Sequence, residues 1–309
     1  MASTVTRRTI IDLAGLDVPL VEITGAEDGP LLTVIAGVHG CEYASMDGVR
    51  RWTRSLETRD LRGRVRAVPV LNLPAFRART PFVVPDDGKN LNRCFPGDPA
   101  GTLADRLAYS AFTQLISGSD AYIDAHCGDM VEALEPFALY DAGPAEAGAR
   151  GLAVAYGLPY VIRQEPGSPE RPVSGTSSSA AAEAGIRAIT AESGECGLVQ
   201  PEAVQRHVRG LDGVLAQLGM ADSPHDGGGD PPTVLNRFLW MTGTDAGWWE
   251  PTVRPGDVVT EGQVIGTIST LDGAQTLQTI TAPADGVPIF ITSSPAVAAG
   301  GLLLGLGVR

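Results

Sequence analysis

Long apolar runs are missing from this 309-residue chain: none reaches about 18 residues, so no membrane-spanning helix is expected. The opening residues, Met1-Ala2-Ser3-Thr4-Val5-Thr6-Arg7-Arg8, have no apolar segment behind them, which argues against a signal peptide. The four cysteines, Cys41, Cys94, Cys127 and Cys196, show no Cys-x-x-Cys spacing. Free thiols in a reducing cytoplasm are therefore expected rather than disulfides. Lysine occurs once, at Lys89. Positive charge is in deficit overall, and the net charge of −13 argues against nucleic acid or an anionic membrane as partner. An anionic substrate would need local arginines to enter. What remains, 43% hydrophobic and 19% charged residues, is the composition of an ordinary globule, long enough for one large α/β domain and a smaller one.

The most informative stretch that is present is Gly37-Val38-His39-Gly40-Cys41-Glu42. It follows an apolar run, Leu31 to Ala36, that reads as a buried strand after the Gly29-Pro30 turn signal. A helical pattern over 43–57 comes next. His39 and Glu42 thus stand where a strand ends and a helix begins, the place where open α/β sheets bind ligands. Three residues apart, they can converge on one point, and they supply two ligands of the His₂Glu set used by catalytic zinc. A second histidine in the same setting is His126, at the end of the short apolar stretch Ala121-Tyr122-Ile123-Asp124-Ala125. If the two strands are parallel neighbours, both imidazoles lie on one rim, with Asp124 placed to orient His126. A third strand, 186–191, ends in Glu192-Ser193-Gly194-Glu195. Of its two carboxylates, Glu192 adjoins the fixed strand backbone, whereas Glu195 lies beyond Gly194 in a turn. Glu192 is therefore the expected general base.

The turn-rich loop 86–97 sets Asn92 beside Arg93, with Arg77 and Arg79 upstream. An arginine fork pairs with a carboxylate, and a neighbouring amide can share the load. The rest of the first 221 residues reads as an edge hairpin (6–13 and 18–23), a strand over 63–71 and a helix over 103–115. Strand, helix and strand then follow at 136–140, 144–157 and 159–163. A Pro-rich loop, 165–175, is long enough to cover a site, and a helix over 201–218 closes the domain. His207 in that helix and His225 in the next segment are expected at the rim or in solvent. Residues 222–232, rich in Gly, Pro and Asp, read as a linker. Over 233–309 helical periodicity disappears and short apolar runs alternate with turn residues, as in a small all-β domain.

With these four motifs in order, the chain resembles the succinylglutamate desuccinylase/aspartoacylase family of zinc carboxypeptidase-like amidohydrolases. The look is nearest to the N-acetyldiaminobutyrate deacetylases of ectoine metabolism. The resemblance implies an α/β fold, a mixed sheet flanked by helices, with a small barrel-sandwich-like C-terminal domain. It implies His39, Glu42 and His126 as ligands of one zinc ion per chain. Asn92 and Arg93 become substrate-carboxylate binders, and Glu192 the catalytic carboxylate. Glu195 departs from the family pattern, where a small residue is expected. The parts add up to amide hydrolysis: water made acidic by zinc, Glu192 moving its proton, and a nearby cation, Arg79, helping to hold the oxyanion. The expected substrate is a small N-acyl amino acid. A metallocarboxypeptidase acting on short peptides would use the same site. The C-terminal segment also resembles half of a biotinyl or lipoyl domain, but such a carrier needs a lysine there and Lys89 is remote in sequence.

Overall fold

The computed structural model describes residues 4–170, 172–222 and 230–309; His225 and most of the expected linker lie outside the described residues. The first hairpin, β1 (Val5–Leu13) and β2 (Leu16–Thr24), turns at Gly15 and forms one edge of a large sheet. Next come β3 (Glu27–Ala36), α1 (Tyr43–Ser55), β4 (Arg62–Val68), α2 (Leu73–Ala78) and α3 (Leu103–Ala111). The expected helix over 103–115 starts on a Thr102/Asp105 capping box, but α-helical bonding stops at Ala111 and a wider turn carries residues 112–116. Then follow β5 (Ala121–His126), β6 (Glu132–Leu134), β7 (Phe137–Asp141), α4 (Glu146–Tyr156), β8 (Tyr160–Gln164), α5 (Ser177–Glu183), β9 (Arg187–Glu192) and α6 (Pro201–Gln217).

The large sheet has nine strands in the order β1-β2-β4-β3-β5-β9-β7-β8-β10, where β10 is Thr233–Leu235. Its centre, β4-β3-β5-β9, is parallel, and the second half of β3 and all of β5 are buried, nearly continuous apolar runs because helices cover both faces there. One face packs on α1, α4 and α6 through Trp52, Tyr156 and Leu211; the other packs on α3 and α5 through Leu107, Ala108 and Ala181. Helices α1 and α6 approach so closely that a Cβ at Gly48 would lie 2.6 Å from the Cβ of His207.

The C-terminal segment adds β11 (Arg237–Thr242), β12 (Gly247–Pro251), β13 (Val264–Ser269), β14 (Thr276–Thr281), β15 (Val287–Thr292), β16 (Ala296–Val297) and β17 (Leu302–Val308). Together with β6 they form two four-stranded sheets, β11-β17-β15-β6 and β14-β13-β12-β16, around a core containing Trp249, Val259, Ile268 and Leu304. The sequence boundary at 221/233 is crossed twice by hydrogen bonding. Strand β10 extends the large sheet by pairing in parallel with β8, and β6, from the first 221 residues, completes a C-terminal sheet by pairing antiparallel with β15. An apolar cluster of Phe137, Leu139, Ile162, Phe238, Ile289 and Phe290 fills the space between the two parts. No helix among the described residues is long and apolar enough to cross a membrane.

Candidate active site

The parallel registers bring the predicted residues together. Ala36 at the end of β3 pairs with Ala125 of β5, and His126 of β5 pairs with Glu192 of β9, so three strand ends converge on one rim. His39 reaches that rim on the tight turn after β3. Gly40 within the turn lies against α2: a Cβ there would come 2.3 Å from the backbone of Ala75, so only glycine fits. Glu42 is the N-cap residue of α1, with its carboxylate buried among the strand ends.

Among the described residues, His39, Glu42 and His126 form one group that can hold a metal ion, with a ligand atom from each within 4.8 Å of the others. Nδ1 of His39 lies 2.5 Å from Glu42 Oε1, and Nδ1 of His126 lies 2.7 Å from Glu42 Oε2. The far nitrogens face acceptors: His39 Nε2 lies 3.0 Å from Asn90 Oδ1, and His126 Nε2 lies 3.0 Å from Asp124 Oδ2. Those acceptors favour the tautomer with the proton on Nε2, which leaves both Nδ1 lone pairs turned inward with the carboxylate. Burial works against ionisation of Glu42, yet the two imidazoles hold its carboxyl down at about 2. Two imidazoles and an ionised carboxylate, buried and mutually crowded, are a donor set that fits a dication of the zinc type.

The group opens into a cavity of about 370 Å³. Glu192 lines it; burial, with Glu42 and Glu132 nearby, pushes its carboxyl well above the usual range despite the pull of His126. Arg93 is the one guanidinium lining this cavity among the described residues. No carboxylate stands within ion-pair distance of it among those residues; NH1 donates to the Asn92 carbonyl at 2.6 Å, and its Cζ lies 5.9 Å from the centroid of Trp240. Asn92 also lines the cavity, but its amide is built into the wall. Its oxygen accepts the Ser177 N–H at 2.8 Å, and its nitrogen lies 3.4 Å from Asp124 and 3.3 Å from His126.

Two expectations need correction. Arg79 is not at the cavity: it ends the short helix α2 in a left-handed conformation (φ 56°), which turns the chain away, and its side chain is exposed. His207 is not a rim residue but fully buried. Its Nε2–H donates to the carbonyl of Ser193, next to Glu192, at 3.1 Å, while Nδ1 accepts from the Tyr156 hydroxyl at 2.8 Å. The signal was present in the sequence, because Val204, His207, Leu211 and Val214 recur at helical spacing on one stripe. Glu195 lies outside the cavity lining and accepts the Leu134 N–H at 3.3 Å. Sequence reasoning also missed Glu132 and the wall from the C-terminal strands, Phe238, Trp240, Phe290 and Leu302. Burial, followed by the nearby Glu42, pushes the Glu132 carboxyl up to about 7.

Comparison with known proteins fits this geometry. Residues 28–218 match the succinylglutamate desuccinylase/aspartoacylase catalytic domain. The N-alpha-acetyl-L-2,4-diaminobutyric acid deacetylase of Halomonas elongata is 32% identical over 246 residues, covering 77% of this chain and 70% of that protein. A product-bound ectoine utilization protein of Ruegeria pomeroyi superposes with a TM-score of 0.85 at 23% identity, over 100% of this chain and 96% of that one. A succinylglutamate desuccinylase/aspartoacylase structure from Rhodobacter sphaeroides does so with a TM-score of 0.85 at 24% identity, over 100% and 96%. The structural likenesses establish the shared fold. Since the catalytic-domain match covers more than half of its residues and carries the His39, Glu42, His126 and Glu192 positions, the chain belongs to the succinylglutamate desuccinylase/aspartoacylase family.

Proposed function

We propose that this protein is a zinc-dependent amidohydrolase that cleaves the amide of a small N-acylated amino acid into a carboxylate and a free amine. The observation that carries the reading is the pairing of His126 with Glu192 on adjacent parallel strands, at the wall of a cavity of about 370 Å³. Such a volume suits one small substrate and lies at the low end for ligand sites. In this reading residues 1–221 supply the chemistry and residues 233–309 the facing wall.

His39, Glu42 and His126 would hold one zinc ion per chain. When bound, the ion supplies Lewis acidity, polarising a carbonyl and making water acidic near neutral pH. Arg93 holds the substrate α-carboxylate with its fork, and its stacking on Trp240 fixes the direction of that fork. Asn92 donates an amide N–H to Asp124, the carboxylate that faces His126 Nε2, and so helps to hold that imidazole in place. Glu192 takes the proton of the attacking water and delivers it to the departing amine. Its desolvated carboxylate has a raised proton affinity suited to both transfers.

The test is a panel of N-acetyl, N-succinyl and N-formyl amino acids and short peptides, read by amine release, on protein purified without chelator. Hydrolysis of acyl amino acids and about one zinc per chain, lost in His126→Ala, are the expected results. Hydrolysis of peptides alone would replace the reading with a carboxypeptidase, and tight zinc binding by His126→Ala would remove the ligand assignment.

A further inference from the structure

The two ends of the nine-stranded sheet are built differently. At one end β10 is only three residues long. At the other, β1 runs for nine residues, Val5–Leu13, in unbroken register with β2 and without bulge, proline or lysine. Proteins blunt exposed edges with short strands, bulges, proline or lysine, because an open row of N–H and C=O groups pairs with another chain. Strand β1 has none of these devices, and no strand pairs with its outer side among the described residues. On the α1 side it borders an open apolar cleft of about 830 Å³, lined by Arg8, Pro19, Tyr43, Met46 and Phe76 among others. Ile10, on that side, is 64% exposed.

The hairpin settles which backbone groups face outward. Its two-residue turn, Ala14 and Gly15 at φ 59° and 83°, makes Leu13 and Leu16 a hydrogen-bonded pair, and every second residue follows: Ile11, Thr9, Arg7 and Val5 bond to β2. Asp12, Ile10, Arg8 and Thr6 therefore turn their N–H and C=O groups outward. Pro19 stands opposite Ile10, a position where the ladder with β1 needs no N–H, as this parity requires. Strand alternation puts the side chains of Arg8, Ile10 and Asp12 on one face.

That outward row is complementary to itself. Two antiparallel copies related by a two-fold axis at Ile10 set Ile10 against Ile10, and Arg8 of each copy against Asp12 of the other. An axis at Arg8 or at Asp12 opposes like charges instead, and an axis at Thr9 or Ile11 sets both charged residues against uncharged ones. Opposite charges directly across a strand pair stabilise it and like charges destabilise it, so the charges select the axis at Ile10. Within its own chain Arg8 NH2 meets Glu57 at 2.5 Å, and Asp12 Oδ1 accepts the Gly15 N–H at 3.0 Å. A guanidinium has five N–H groups and a carboxylate two oxygens, so each retains capacity for the cross-strand pair.

We infer that β1 is a self-association edge: a second copy of this chain adds its own β1 antiparallel, centred on Ile10, and joins two nine-stranded sheets into one. The contact is isologous, as in most homodimers. It is independent of the proposed reaction, whose cavity lies at the ends of β3, β5 and β9.

Sedimentation equilibrium of the full chain tests this. The expected species has twice the 32.2 kDa of one chain. Asp12→Arg, which opposes arginines at both pairs, is expected to raise the dimer Kd by about tenfold or more. The double variant Arg8→Asp/Asp12→Arg restores opposite charges and should bring Kd back to within about threefold of wild type, a recovery that misfolding would not give. Ile10→Pro removes an outward N–H that β2 does not use, so it should also weaken the dimer while the far-UV spectrum stays unchanged. Ile10→Cys brings two thiols across the axis with their Cα atoms about 5.5 Å apart, within disulfide range. Oxidised glutathione should link that variant into a covalent dimer and leave wild type, with its own four cysteines, unlinked. A wild-type chain that stays monomeric up to its solubility limit would overturn the inference. So would a dimer that survives both Asp12→Arg and Ile10→Pro, or a loss that the double variant leaves unrepaired.

Discussion

Glu192 and Glu195 stand three residues apart beside glycines, and composition alone does not choose between them. The fold separates them: Glu192 pairs with His126 and lines the cavity, whereas Glu195 is drawn off by the Leu134 N–H and the Gln200 amide at 3.5 Å. Glu192→Gln is expected to lower kcat by about 10²–10⁴, or roughly 3–5 kcal/mol of barrier, with metal content unchanged. Glu195→Gln should keep most of kcat, and side-by-side turnover with metal analysis checks both; an inactive Glu195→Gln beside an active Glu192→Gln would reverse the assignment. The meeting of His39, Glu42, His126 and Glu192 at one rim was readable because each follows an apolar run that reads as a buried strand. Glu132 was not, because nothing near it in sequence says that its strand pairs with residues 290–292, more than 150 positions away. Arg79 misled for the opposite reason: it is close in sequence to the substrate loop, and the left-handed end of α2 takes it elsewhere.

At the scale of elements, most of the layer order was legible. Parallel strands reveal themselves as continuous apolar runs, and α1 and α6 each carry an apolar stripe. Short elements such as β6 and β10 carry too few residues to show a period and are defined by their partners. Helix α6 holds a pH-dependent joint. Burial lowers His207 to about 4, so in the folded protein it is neutral, bridging Tyr156 and the strand end at Ser193. The unfolded chain takes up that proton near the ordinary histidine value of about 6.5, while the folded chain resists until about 4. Stability from this group is complete above pH 6.5 and is lost as pH falls toward 4, by about 3 kcal/mol. Chemical denaturation of wild type and His207→Gln across that window tests it: the difference between the two should shrink as pH falls, and a constant difference would refute the joint.

The whole molecule is less divisible than its composition. The change after the Gly- and Pro-rich segment reads as a domain boundary, yet β6 and β10 each pair across it, and Phe238, Ile289 and Phe290 bury Phe137, Leu139 and Ile162. The same crossing closes the cavity, since Trp240, Phe290 and Leu302 face the metal group from the C-terminal side. A chain ending at Asp222 would therefore lose more than an appendage. It would expose Phe137, Leu139 and Ile162, at about 1.5–3 kcal/mol for each side chain returned to water. It would also leave β8 and β6 with unpaired edges. That loss is comparable with the entire stability of a typical protein, about 5–15 kcal/mol. Expression of residues 1–222 is expected to give insoluble or protease-sensitive material, where the full chain gives a resistant core. If the truncated chain instead unfolds cooperatively and hydrolyses the same substrate with unchanged KM, residues 233–309 are a separate module and the cavity wall they form has no part in binding.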